Sequence, residues 1–299
     1  MTTKRITRLV LPMALLALLA GCGGGNQQPQ DTLTTDAADS LAQSERMGRT
    51  RKIFYNIPSP METAALLKKA GASYQGGILN DVKNVDKYTA ASKQALNLGV
   101  YGADLSYASV FNHTQESMFY TSCARRLADK LGVTSAFSDS TLELMEKHQN
   151  DRDKLLDIIS ETYWDMDRYL KVNGRDNISA LMIAGGWVEG LYVATQVAKA
   201  NPTPELRQRI AEQKLSLGDL LSLMDTYGTD DQALNGVRDD LKALSGLYAE
   251  VGTGGGAVTA TQENGVVVIG AEGGAATLTD AQLAAITEKA AAIRNTYIN

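Results

Sequence analysis

The chain has 299 residues, 44% of them hydrophobic and 21% charged, enough apolar material for one large domain or two small ones. Two cysteines and two histidines exclude a clustered Cys/His zinc site and a disulfide scaffold. A net charge of −5 argues against nucleic acid, whose binders carry a basic footprint.

Lys4, Arg5 and Arg8 precede an apolar run from Leu9 to Ala20, of signal-peptide length and too short to span a bilayer as a mature helix. The run ends in Leu19-Ala20-Gly21-Cys22, which resembles the lipobox of bacterial lipoproteins. That resemblance implies lipidation of Cys22, cleavage before it and acylation of the new amino terminus. Residues 1–21 then form a discarded signal peptide, and the net charge moves from −5 to −8. Several acyl chains, at about 0.8 kcal/mol per buried CH₂, anchor far more firmly than one. Gly23 stands where many inner-membrane lipoproteins carry aspartate, so the resemblance favours the outer membrane, facing the periplasm or the cell surface. Residues 22–50 offer little to bury and read as a flexible tether.

Residues 51–251 carry helical punctuation. Ser59-Pro60-Met61-Glu62 is a capping box with proline at the first helical position, and Gly71 is a natural stop. A helix from Asn84 to Leu98, closed by Gly99, is expected next, then Thr114 to Leu131 before Gly132. Ser140 opens another. Asp151 to Val172, Ile178 to Ala200, a helix beginning at Thr203-Pro204-Glu205, and Asp230 to Glu250 follow. In residues 252–299, Glu263-Asn264-Gly265 between β-branched runs signals a hairpin, and Thr279 with Gln282 caps a final helix. The fold class is therefore mainly α: a multi-helix bundle with a small C-terminal β-hairpin and a last helix.

The chain also resembles itself. At an offset of 81 residues Ser59 meets Ser140 and Asp86-Lys87-Tyr88 meets Asp167-Arg168-Tyr169; at 85, Asp104-x-x-Tyr107 meets Glu189-x-x-Tyr192. Together these matches suggest two tandem pseudo-repeats of about four helices, 59–137 and 140–225.

The chemistry concentrates in two apolar helices with one charge each. Asp104 has Tyr101 and Tyr107 as neighbours; Glu189 has Trp187 and Tyr192. A carboxylate in such surroundings is costly unless hydrogen-bonded or paired. One reading is a polar pocket, lined by these residues, for a small polar or cationic ligand. The other is that each acid bonds a neighbouring tyrosine or a helix terminus. Gly185, Gly186 and Gly190 on the same helix allow close approach of another helix.

His113-Thr114-Gln115-Glu116 is similar to the HxxE motif of imelysin-like helical lipoproteins, but Phe111 stands where that motif has glycine, so His113 and Glu116 are weak metal candidates. Asp157, Glu161 and Asp165 read as a solvated acidic face. Cys123 reads as a buried small side chain. No nucleophile elbow, P-loop or dinucleotide fingerprint is present. The body resembles uncharacterised Gram-negative envelope lipoproteins, which brings no activity with it. The expectation is a non-catalytic, lipid-anchored envelope protein that needs no cofactor and binds a protein partner or small polar ligand. The alternatives are a ligand-sensing or metal-binding envelope protein and a carboxylate-dependent envelope hydrolase.

Overall fold

The computed structural model describes residues 56–134, 138–148, 151–227, 230–252, 258–263, 266–271 and 277–299. The signal-peptide, Cys22 and tether expectations lie outside these residues. The described chain is mainly helical. Helix α1, Pro60–Lys69, opens on Ser59 with both bonds of the capping box formed: Glu62 N–H donates to Ser59 Oγ (3.2 Å) and Ser59 N–H to Glu62 Oε2 (2.7 Å). Two 3₁₀ turns, Gly76–Ile78 and Val82–Lys87, lead to α2, Ala91–Val110. Then come α3 (Thr114–Lys130), α4 (Asp139–Lys147), α5 (Arg152–Val172), α6 (Asp176–Ala200), α7 (Pro204–Asp225), α8 (Gln232–Leu247) and α9 (Asp280–Ile298).

Capping chemistry set most of these boundaries. Ser138, Asp151, Thr203 and Asp231 accept first-turn N–H groups, and Thr279 with Gln282 forms a second capping box. The expectation of a helix from Asn84 to Leu98 is corrected. The 3₁₀ turn occupies 82–87, and α2 begins at Ala91 and runs straight through Gly99. Gly99 is not a stop but a crossing point. A Cβ on it would lie 2.0 Å from Met182 O, and one on Gly185 would lie 2.0 Å from Leu96 O. Any side chain at either position collides with backbone, so α2 and α6 touch main chain to main chain.

These two helices form the centre of the bundle. α1, α3 and α5 pack on α2; α5, α7 and α9 pack on α6; α9 also meets α8 and the start of α2, and α4 rests on α5. Nearly every residue of α2 from Gln94 onward, and of α6 from Ile178 to Ala198, is buried. A helix apolar all round belongs in a core. α6 is long and apolar enough to cross a membrane, yet 94% of its apolar window is buried within the protein.

Val258–Glu263 and Val266–Ala271 pair antiparallel through their backbones. The side chains of 253–276 lie outside the described residues, and the architecture established is the helical one.

Candidate functional site

The glycine crossing brings Asp104 of α2 and Glu189 of α6 into hydrogen-bonding reach of each other, both fully buried. Glu189 is met by Arg294 of α9: Nε donates to Oε2 at 2.9 Å and Nη2 to Oε1 at 3.1 Å, a bidentate pair. Arg294 Nη2 also donates to Ile78 O (3.3 Å), and the guanidinium stands 4.6 Å over the Tyr192 ring. Asp104 Oδ2 accepts the backbone N–H of Asn80 at 3.1 Å, while its Oδ1 has no amide or hydroxyl donor.

One cation faces two carboxylates, so the charge balance decides the protonation. Two carboxylates at contact repel by about 4 kcal/mol even at an effective dielectric of about 20. Desolvation adds several kcal/mol for each ion. Keeping an ordinary aspartic acid protonated at pH 7 costs about 4 kcal/mol, less than those two together. Burial, then the Glu189 charge, hold Asp104 well above the usual carboxylate range, against the pull of Arg294 and Asn80. Burial also raises Glu189, but Arg294 opposes this with its charge and hydrogen bonds. Asp104 therefore keeps the proton and shares it with Glu189. The triad is neutral.

Around it lies a polar layer. Asn80 Nδ2 donates to Tyr88 Oη (3.1 Å), Tyr88 Oη to Ile298 O (3.2 Å), and Asn97 Nδ2 to Tyr297 O (2.8 Å). Lys93 Nζ donates to Thr296 O (2.5 Å). Side chains of α2 and the preceding turn thus cap the last carbonyls of α9, which otherwise lack partners.

The other sequence candidates scatter. Tyr101 Oη donates to Asp81 O (2.9 Å); Tyr107 Oη donates to Ser73 O (2.9 Å) and accepts from Gln75 N–H (3.2 Å). Burial pushes the Tyr107 phenol up to about 12. Trp187 Nε1 donates to Ser216 Oγ (3.0 Å) on α7. These three fasten loops and helices, and only Tyr192 touches the triad. No cavity among those described reaches Asp104 or Glu189.

His113 Nδ1 lies 2.7 Å from Glu116 Oε2, both half exposed, with the Tyr74 ring stacked on the imidazole at 3.6 Å. Among the described residues no three His, Cys, Asp or Glu side chains converge as metal ligands. Cys123 is buried, its Sγ 3.7 Å from Val82 O, and burial pushes the thiol up to about 11. Asp157, Glu161 and Asp165 are exposed, Asp165 paired with Arg168 at 2.7 Å.

The open concavity lies elsewhere. A cavity of about 220 Å³ opens between the end of α2, α3, α4 and α5. Leu105, Leu142, Met145, Leu155 and Ile159 give it an apolar floor; Ser109, Ser117 and Thr121 give a hydroxyl wall. Composition alone did not reveal it, because its walls come from two of the proposed repeats. No family model, curated protein or solved structure matches this chain.

Proposed function

We propose that the chain is a lipid-anchored, non-catalytic protein of the bacterial envelope that holds a small amphipathic ligand in the cavity between α2 and α5. The observation that carries the reading is the contrast between the two concentrations of polar groups. The buried acids are neutralised with Arg294 and line none of the described cavities, so they serve as scaffold; the hydroxyl-lined cavity has room and an opening. At about 220 Å³ it exceeds the roughly 150 Å³ of an engineered cavity that admits benzene.

The anchor rests on the Leu19-Ala20-Gly21-Cys22 resemblance, with the outer membrane as the favoured location. The tandem duplication belongs to the same reading. What supports it is that Asp104 and Glu189, matched at offset 85, meet each other where α2 crosses α6. The C-terminal hairpin belongs to it as the connection through which α9 returns to the bundle.

The test is extraction of the protein from its own envelope in mild detergent, followed by mass analysis of what is released on denaturation. A small amphipathic compound at near-equal molar amount, absent from a variant whose cavity is filled by Ile159→Trp, is expected. Turnover of an envelope substrate that Glu189→Gln abolishes, with the helical spectrum intact, would replace this reading by the hydrolase.

A further inference from the structure

The cavity between α2, α3, α4 and α5 carries a more specific chemistry, resting on the ligand-binding reading above. Its hydroxyl wall has already spent its protons. Ser109 Oγ donates to Ser117 Oγ (3.1 Å), Ser117 Oγ to His113 O (2.9 Å), and Thr121 Oγ1 to Ser117 O (2.8 Å). A hydroxyl whose hydrogen is committed turns only lone pairs to anything else. What Ser109, Ser117 and Thr121 offer a ligand is acceptors, and Asn112, Thr114 and Ser122 complete the polar lining.

The charges at the opening point the same way. Glu146 of α4 lines the cavity and is exposed, and among the described residues no hydrogen bond or ion pair engages its carboxylate. Arg125 also lines the cavity but is engaged in interactions of its own. The unspent charge at the opening is negative. With it at the opening is a side chain that a solvated surface does not call for: Met118, which lines the cavity and is 55% exposed. Apolar floor, acceptor wall, apolar lip and a free carboxylate are complementary to one kind of molecule.

We propose that this cavity binds a small amphipathic primary amine, its ring or short alkyl chain on the floor formed by Leu105, Leu142, Met145, Leu155 and Ile159 and its ammonium group between the Ser117–Thr121 hydroxyls and Glu146. The ammonium supplies donors where Ser117 and Thr121 have only acceptors to give, and its charge meets a carboxylate with no other partner among the described residues. The volume restricts the apolar part to about one ring or a chain of similar bulk. An anionic head is repelled by Glu146 and finds no free donor on Ser109, Ser117 or Thr121. A neutral alcohol of the same shape keeps the burial and loses the charge.

Three probes of matched shape separate these terms: 2-phenylethylamine, 2-phenylethanol and 3-phenylpropanoate. They are titrated into the full lipidated chain in nanodiscs of zwitterionic lipid, by calorimetry and saturation-transfer NMR, with empty nanodiscs as the blank. The amine is expected to bind about ten-fold tighter than the alcohol, and the carboxylate more weakly than either. Glu146→Gln brings the amine down to the alcohol's affinity and leaves the alcohol unchanged. Ile159→Trp, checked for an unaltered helical spectrum, removes binding of all three.

Equal binding of amine and carboxylate, or an amine preference that survives Glu146→Gln, overturns the amine assignment while leaving the cavity a ligand site. Failure of all three probes, or binding unmoved by Ile159→Trp, overturns the ligand-binding reading itself.

Discussion

The protein handles carboxylates in two opposite ways. At the crossing of α2 and α6, Asp104 and Glu189 are fully buried, share a proton and are answered by Arg294; no charge is left over and no described cavity reaches them. At the edge of α4, Glu146 stands at an opening with no partner among the described residues, next to an apolar hollow. The difference teaches that burial of an acid in an apolar helix is a poor guide to binding. A charge that the fold has paid to bury is one the fold has also satisfied, and its cost is stability if disturbed. The acid with chemistry to spare is the one the fold left incomplete.

The largest effects belong to the sealed region. Gly185→Ala or Gly99→Ala puts a Cβ 2.0 Å from a carbonyl oxygen of the facing helix, with backbone that cannot step aside. Either substitution is expected to cost more than about 4 kcal/mol in urea unfolding, or to prevent folding. Gly218 of α7 has open space around it, so Gly218→Ala should instead gain about 0.5–1 kcal/mol.

Next come the charges. Arg294→Met leaves Glu189 buried without its cation and should cost about 3–5 kcal/mol. Adding Glu189→Met to Arg294→Met should recover most of it, because the unpaired charge is then gone. A double variant no more stable than the single one would mean that Arg294 acts by packing alone.

Asp104 gives a smaller effect with a definite sign. Its folded pKa is raised, so the folded protein holds a proton that the unfolded chain releases. The stability this lends is complete below the ordinary value of 3.8 and is lost as pH climbs through the raised pKa. Each pH unit in that window removes about 1.4 kcal/mol at most. Asp104→Asn carries no proton to lose, so urea unfolding from pH 4 upward should show a flatter profile than the wild type. An unchanged slope would place the shared proton elsewhere. At the open region, Glu146→Gln should leave stability within about 0.5 kcal/mol.

Much of this was legible in the sequence. Capping boxes at Ser59 and Thr279 and caps at Asp151 and Thr203 fixed helix starts, because first-turn N–H groups are satisfied locally. The convergence of Asp104 and Glu189 was also readable, from one charge in each of two apolar helices. Gly99 misled, since a glycine that ends a helix and one that admits a neighbour look alike until the neighbour is known. Arg294 escaped, although Ile286, Ala290, Ile293 and Tyr297 mark the buried face of α9 and Arg294 lies on it. A cation on a buried stripe is the counterpart to seek wherever two buried acids are found. Tyr101, Tyr107 and Trp187 looked like pocket lining because they neighbour the acids in sequence, yet their polar ends reach separate loops and α7. The cavity near Glu146 needed the tertiary meeting of four helices, which no local pattern encodes.

The contrast between the two acids is tested most directly by titrating 2-phenylethylamine into three forms of the full chain in zwitterionic nanodiscs: wild type, Asp104→Asn and Glu146→Gln. The sealed acid should not matter, so Asp104→Asn should bind as the wild type does, and Glu146→Gln should bind about ten-fold more weakly. Loss of binding in a folded Asp104→Asn, with Glu146→Gln unaffected, would contradict the account and return the ligand to the buried pair.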